Sequence, residues 1–252
     1  MREMKAPESQ RFREFYRAKS GVYHQRRYET PYGVAFCALH HELVEEFLDV
    51  GGASQRVLEI ACGTGHVTSV IGARVEDPVV CDLTPEMLIR AQQRVADGGG
   101  SCCFVLSDAQ RLPFGSGMFD AVLSTRFLHL FPLREQETLL GEMARVLRRG
   151  GRLFVDFDNW SSRWLFTLPY LVYNLLRYRR LAPYSIYNRI RETVALLDRC
   201  GLHVEKVLGV GGTHLVLPAL LSTELAVRLG RWHRHPPWRL LAEQFAVIAM
   251  KR

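Results

Sequence analysis

The sequence lacks the features that would place it in a membrane, in a disulfide-rich secreted fold or at a metal centre. No apolar run reaches the roughly 18–20 residues that a membrane-spanning helix needs. The N-terminus has no apolar core of a signal peptide, and its acidic residues argue against a transit peptide. The six cysteines are scattered, without a C-x-x-C pair or a histidine cluster at metal-ligand spacing. We therefore expect reduced, mostly buried thiols, no bound metal and a cytoplasmic location.

Acidic residues are also missing from two stretches in the second half of the chain. The whole sequence has 252 residues, 48% of them hydrophobic, and a net charge of +7. Residues 160–191 contain six arginines and residues 225–241 contain four, and neither stretch has an Asp or Glu. Such a basic surface suits an anionic membrane face, an acidic substrate or nucleic acid. The alternative is a solvated basic face without a partner.

The most informative segment that is present covers residues 57–68. An apolar run that contains Glu59 passes into the small residues 61–65 and then into a helical pattern. This is the pattern of a buried parallel strand that turns into a helix whose free N–H groups face a ligand. Gly63 and Gly65 allow backbone angles and a close approach that a Cβ would block. The segment alone predicts a site for a nucleotide-like ligand.

Later segments extend this pattern in a consistent order. Asp82 closes the next strand-like run about twenty residues on, where a ribose diol would find a hydrogen-bond acceptor. Residues 107–114, 119–124 and 145–153 follow. Together the five segments resemble the motifs of the class I S-adenosylmethionine-dependent methyltransferases. They are most similar to the branch that methylates small molecules, including quinone and sterol precursors. The resemblance covers residues 40–158 well and the flanks poorly.

The alternation of strand and helix patterns predicts an α/β fold with a doubly wound, mostly parallel sheet. We expect helices at 36–49, 66–74, 85–96, 134–148 and 188–200. The expected strands are 56–60, 78–82, 102–106, 119–124, 151–157, 203–208 and 244–250. The resemblance implies a Rossmann-like sheet of seven strands in which the last, 244–250, is antiparallel.

We predict a single domain over residues 1–252. It comprises an N-terminal helical cap (1–50), a cofactor-binding core (51–158) and two insertions that form a substrate lid (159–187 and 209–241). Residues 164–176 are the most apolar segment of the chain and have arginines at both ends. They are expected to line an apolar pocket, to lie on a membrane surface or to pack on the core.

The resemblance implies that S-adenosyl-L-methionine is the cofactor and that it leaves as S-adenosyl-L-homocysteine. Asp82 would pair with the ribose hydroxyls, and Asp108 would accept from the adenine amino group. The alternative for these two acids is that they only cap loops. The full set of residues implied at the cofactor is Glu59, Ala61, Gly63, Gly65, Asp82, Leu83, Asp108, Ala109 and Ser124.

Two further residues, Arg126 and His129, follow the fourth predicted strand. Methyl transfer needs in-line orientation of the reacting atoms and, for some acceptors, removal of a proton. His129 is a candidate base because its charge is adjustable near neutral pH, and the alternative is a packed histidine. Arg126 either holds an acidic substrate or pairs with a nearby carboxylate.

Other functions fit the sequence less well. An NAD-dependent dehydrogenase would need a glycine where Thr68 stands. The Asn/Asp-Pro-Pro-Tyr/Phe tetrapeptide of amino-methylating nucleic-acid enzymes is absent, since residues 124–127 read Ser-Thr-Arg-Phe, so nucleic acid is not an expected partner. RNA methylation, protein methylation and an inactive methyltransferase-like scaffold remain as alternatives.

The sequence therefore predicts an S-adenosylmethionine-dependent methyltransferase. Its acceptor is expected to be small and apolar, aromatic or lipid-like, and a peripheral contact with an anionic membrane is a further expectation. The acceptor atom, the base and the oligomeric state stay open at this point.

Overall fold

The computed structural model describes residues 29–162 and 186–252. The first 28 residues of the expected N-terminal cap and most of the first lid insertion, including residues 164–176, lie outside these ranges.

The described chain is organised around one mixed sheet of eight strands. The strand order is β3-β2-β1-β4-β5-β8-β7, and the short β6 pairs with the end of β5. All neighbouring pairs are parallel except that β8 runs antiparallel to both β5 and β7, as expected. The strands are β1 Val57–Ile60, β2 Val79–Asp82, β3 Cys103–Leu106, β4 Phe119–Ser124, β5 Leu147–Asn159, β6 Tyr187–Asn188, β7 Leu202–Val210 and β8 Gln244–Lys251.

Helices cover both faces of the sheet, which confirms the doubly wound α/β fold. They are α1 Pro31–Asp49, α2 Thr68–Arg74, α3 Pro85–Asp97, α4 Leu133–Val146, α5 Ile190–Arg199, α6 Val216–Leu221 and α7 Thr223–Gly230. One buried cluster joins α4 and α5 to the sheet through Leu140 and Leu197. A second cluster on the other face joins α1, α6 and α7 through Phe47, Ala219 and Ala226.

Three elements differ from the sequence-based expectation. The helix α1 begins at Pro31, because Thr30 caps it by accepting the Gly33 N–H at its Oγ1 atom (3.0 Å). The strand β5 is extended at both ends, and its last two residues pair with β6, a strand of two residues. The insertion at 209–241 is largely helical.

Ion pairs tie this insertion to α1. Arg231 and Arg234 both contact Glu42, at 2.7 and 2.6 Å, and Arg234 also contacts Glu46 at 2.6 Å. The basic stretch 225–241 is therefore partly neutralised by acids from another element. No helix within the described ranges is both long and apolar enough to cross a membrane.

Candidate active site

A pocket opens where β1, β2, β3 and β4 end at the same edge of the sheet. This is the place where open α/β sheets bind ligands, beside the strand at which the order reverses. Seven of the residues singled out in the sequence line it: Ala61, Gly63, Asp82, Leu83, Asp108, Ala109 and Arg126. The other four, Glu59, Gly65, Ser124 and His129, are not among the lining residues.

The turn after β1 forms the floor of the pocket. Ala61 and Gly63 both have left-handed backbone angles, with φ of 58° and 55°. The Gly63 N–H donates to Asp82 Oδ2 at 2.9 Å, which joins the ends of β1 and β2. A Cβ at Gly63 would meet no atom within 4 Å, so the backbone here is open to the pocket.

Asp82 braces two loops and lines the pocket at once. Its Oδ1 accepts the Thr84 N–H at 2.9 Å, and its Oδ2 accepts the Gly63 N–H. Burial raises the pKa of this carboxyl, while the backbone donors of Gly63 and Thr84 lower it in part. Asp82 thus caps local backbone N–H groups and lines the pocket as well.

Asp108 shows the same combination after β3. Its Oδ1 accepts the Gln110 N–H at 2.9 Å in a local turn, and the half-buried residue lines the pocket beside Ala109.

Glu59 and Gly65 lie behind the turn. The Glu59 side chain is buried and accepts the Thr68 hydroxyl at 2.6 Å. Burial raises the pKa of Glu59 to about 8, the Thr68 bond opposes this shift, and the Asp82 charge adds to it. A Cβ at Gly65 would lie 2.6 Å from the Ala91 Cα, so this glycine lets the turn pack against α3.

Ser124 and His129 are also buried and are not among the lining residues. The Ser124 hydroxyl donates to the Ile60 carbonyl at 3.0 Å and links the ends of β4 and β1. His129 lies in the short 3-10 helix Leu128–Leu130, and within the described chain its Nδ1 has no hydrogen-bond partner. Its assignment as a base stays a prediction.

Arg126 follows β4, which β1 separates from the strands β2 and β3 that lead to Asp82 and Asp108. Its φ of 55° is unusual for a residue with a side chain, and its backbone N–H donates to Asp156 Oδ1 at 2.7 Å. The guanidinium carbon lies 5.0 Å from the centre of the Phe36 ring.

No residue of α1 was predicted from the sequence to line this pocket. Phe36, Cys37 and His40 line it, and His40 Nε2 lies 3.2 Å from Asp156 Oδ2. His40 Nδ1 lies 3.1 Å from the Phe36 carbonyl. Both ring nitrogens of the buried His40 thus face oxygen atoms. Helical spacing places Phe36 and His40 on one face, but nothing local in the sequence indicates Asp156 as the partner.

Two cysteines at the pocket, Cys62 and Cys81, stay protonated thiols. Burial raises the pKa of Cys62 well above its usual value and that of Cys81 to about 12. None of the six cysteines is in a disulfide bond; three are buried, two are half-buried and Cys103 is exposed. Among the residues that the structure describes, no group of three or more His, Cys, Asp or Glu could hold a metal ion.

Comparison with known proteins shows which family this part of the chain is similar to. A model described as "Methyltransferase domain" matches residues 57–151. Residues 57–151 thus match a methyltransferase domain. The matched range of this methyltransferase domain contains the pocket from Ala61 to Arg126, whereas Phe36, His40 and Asp156 lie outside it.

The relatives of this chain align with it over only part of their own length. An uncharacterized protein of Mycobacterium tuberculosis is 46% identical over 109 residues, which is 42% of this chain and 37% of that protein. A demethylmenaquinone methyltransferase of Beutenbergia cavernae is 36% identical over 135 residues, 52% of each chain. The chain thus spans about two fifths to one half of the length of these relatives.

A solved structure extends the likeness of fold to nearly the whole chain. The magnesium protoporphyrin IX methyltransferase of Synechocystis, with bound S-adenosylhomocysteine, superimposes with a TM-score of 0.71. It covers 98% of this chain and 100% of its own at 13% identity, so the likeness is one of fold.

Proposed function

We propose that this protein transfers a methyl group from S-adenosyl-L-methionine to a small acceptor. The observation that carries the proposal is the position of Asp82, which lines the pocket at the end of β2 and holds the Gly63 turn. The turn itself suits close contact with a ligand, since a Cβ at Gly63 would meet nothing within 4 Å. The methyltransferase domain over 57–151 supports the same cofactor.

Each lining residue has a role that fits its chemistry. Ala61 and Gly63 border the methionine portion, and Asp82 accepts from the ribose hydroxyls. Leu83 packs on the adenine, Asp108 accepts from its amino group, and the Ala109 N–H lies beside it. Three residues behind the pocket hold these groups in place: Glu59, Gly65 and Ser124.

The cofactor and the protein supply different parts of the chemistry. The cofactor, when bound, supplies a methyl group on a sulfonium and a thioether leaving group. The protein positions the acceptor in line and keeps water away, which can contribute several kcal/mol. The buried and half-buried side chains of Phe127, Leu130 and Phe131 serve the second purpose, with the two phenyl rings 4.9 Å apart in an edge contact. His129 does not line the pocket, and its assignment as a base stays a prediction.

The acceptor is proposed to be apolar, aromatic or lipid-like. Phe36, Phe127 and further apolar side chains line the pocket together with Asp82 and Asp108. The demethylmenaquinone methyltransferases among the relatives act, by their name, on a quinone. RNA, protein and no acceptor at all are the competing outcomes of the test.

Calorimetry tests the cofactor. Wild-type protein is expected to bind S-adenosylmethionine at micromolar concentration and to bind NAD much more weakly. Asp82→Ala should weaken the former about tenfold or more, because it removes a charged hydrogen-bond acceptor. The exposed Asp97 at the end of α3 offers a matched control, Asp97→Ala. Binding of NAD alone would refute the proposal.

A labelled methyl donor tests the acceptor class. Lipid and polar extracts, RNA and protein are each incubated with the enzyme and the labelled cofactor. Label in a small molecule supports the proposal, and label only in RNA or protein contradicts it. Cofactor binding without labelling of any fraction indicates a scaffold.

We further propose that the protein is located in the cytoplasm and binds peripherally to membranes. Six cysteines without a disulfide bond suit a reducing compartment. The insertion at 209–241 exposes Leu217, Leu220 and Leu221 on α6, and its Trp232 and Trp238 are also exposed. Exposed apolar and tryptophan side chains of this kind suit the interface of a bilayer.

A further inference from the structure

One cation faces the pocket without a partner. Arg126 is the only arginine or lysine among the described residues that line it. Its side chain makes no ion pair or hydrogen bond within the described chain, and its Nε is buried with no hydrogen-bond partner. A half-buried guanidinium with unmet donors is costly, since such charges normally find acceptors inside proteins.

The carboxylate that accepts the backbone N–H of Arg126 is already engaged. Asp156 Oδ1 accepts the backbone N–H of Arg126, and Asp156 Oδ2 lies 3.2 Å from His40 Nε2. The side chain of Arg126 is thus not bound by the acid that fixes its backbone. That backbone bond also holds the residue in its left-handed conformation, which is rare away from glycine.

The guanidinium carbon of Arg126 lies 5.0 Å from the centre of the Phe36 ring, which is a cation–π contact. The N–H donors of a guanidinium lie in its plane. A planar fork of this kind matches the two oxygens of a carboxylate.

We propose that Arg126 binds a carboxylate carried by the acceptor, so that the substrates of this enzyme are apolar acids. The inference rests on the proposed function and adds the charge of the substrate to it. Arg126 contacts Phe36 of α1 and Asp156 of β5. The residues proposed for the cofactor follow β1, β2 and β3.

Octanoate and octanol are suitable probes, because they share an apolar chain and differ in the carboxylate. Each is titrated by calorimetry into protein saturated with S-adenosylhomocysteine. Wild-type protein should bind octanoate about tenfold or more tightly than octanol. Arg126→Gln should remove this preference and leave octanol binding unchanged. Arg126→Lys keeps the positive charge but lacks the planar pair of N–H donors. Its preference for octanoate over octanol should lie between that of wild type and that of Arg126→Gln.

A second pair of probes separates the acceptor from the cofactor. S-adenosylhomocysteine has a carboxylate and 5′-methylthioadenosine has none. If Arg126 serves the acceptor, Arg126→Gln binds both as wild type does. If Arg126→Gln binds S-adenosylhomocysteine more weakly than wild type does but binds 5′-methylthioadenosine equally well, Arg126 binds the cofactor and the proposal is overturned. Equal octanoate binding by wild type and Arg126→Gln would also overturn it.

The proposed function and the proposed role of Arg126 can be refuted separately. Failure of wild-type protein to bind S-adenosylhomocysteine would refute the proposed function, and the octanoate titration is then made on the free protein. Thermal unfolding of each variant shows whether the fold is retained. The Gln variant keeps the backbone N–H that Asp156 accepts, so it is expected to unfold near the wild-type temperature.

Discussion

Gly63 and Gly65 stand two residues apart in the turn after β1, but their surroundings differ. A Cβ at Gly65 would lie 2.6 Å from the Ala91 Cα, and φ is 79°. Gly65→Ala should therefore destabilise the protein by about 2–5 kcal/mol, from overpacking and left-handed strain together. Gly63→Ala adds a methyl group to open space and should cost only about 1–2 kcal/mol of stability. It should nevertheless weaken S-adenosylmethionine binding, because the methyl group enters the pocket.

Gly99 provides the control for these two substitutions. It has a φ of 72°, is exposed in a turn after α3, and has open space around its Cβ position. Gly99→Ala should show the strain of the backbone alone, with unchanged cofactor binding. Chemical denaturation and calorimetry on the three variants check the set. Wild-type affinity in Gly63→Ala, or equal stability of Gly65→Ala and Gly99→Ala, would contradict it.

At the scale of elements, α1 connects the pocket to the insertion at 209–241. The Tyr32 hydroxyl donates to Glu243 Oε2 at 2.6 Å and accepts the Gly212 N–H at 3.0 Å. Burial, together with the Glu243 charge, raises the pKa of Tyr32, so the phenol stays neutral and keeps both bonds. One and two turns further along, Phe36 and His40 line the pocket. The same helix thus carries the insertion and one wall of the site.

The exposed leucines of α6 give a prediction about membranes. Leu217, Leu220 and Leu221 are 69%, 65% and 77% exposed and lie at helical spacing. We expect the protein to sediment with vesicles of phosphatidylcholine and phosphatidylglycerol. Replacing all three leucines by serine should weaken this binding about tenfold or more, because the apolar area that enters the bilayer is lost. Ile89→Ser, at an exposed position of α3, is the control.

Salt distinguishes the apolar contact from an electrostatic one. Glu42 pairs with Arg231 and Arg234, so much of the basic stretch is neutralised within the fold. Vesicle binding should therefore change little between low and high salt. Binding that salt abolishes and that the serine variant retains would show that charge, and not the α6 leucines, carries the contact.

At the scale of the whole molecule, the sequence predicts the sheet better than the site. The strand at 119–124 and the helix at 85–96 are found within a residue of their expected bounds, because periodicity and capping are local. Both Glu59 and Asp82 lie in strands that lead to the pocket, yet only Asp82 faces it. That difference depends on how α2 packs, since Thr68 of α2 takes Glu59 as its partner. The His40–Asp156 pair joins residues 116 positions apart, and no local pattern carries that information.

Glu59 should make the stability of the whole protein fall with rising pH. Its folded pKa of about 8 lies above the ordinary value of 4.5, so between these limits the folded state holds a proton that the unfolded state has lost. The stability that this proton confers is complete below pH 4.5 and is lost as the pH rises through 8, at about 1.4 kcal/mol per pH unit at most. Glu59→Gln has no such titration and can still accept the Thr68 hydroxyl. The melting temperature of Glu59→Gln minus that of wild type should thus rise from pH 5 to pH 8, by several degrees, and then level off. The exposed Glu76→Gln should show a flat difference over the same range, and a flat difference for Glu59→Gln would mean that Glu59 is ionised in the folded protein throughout.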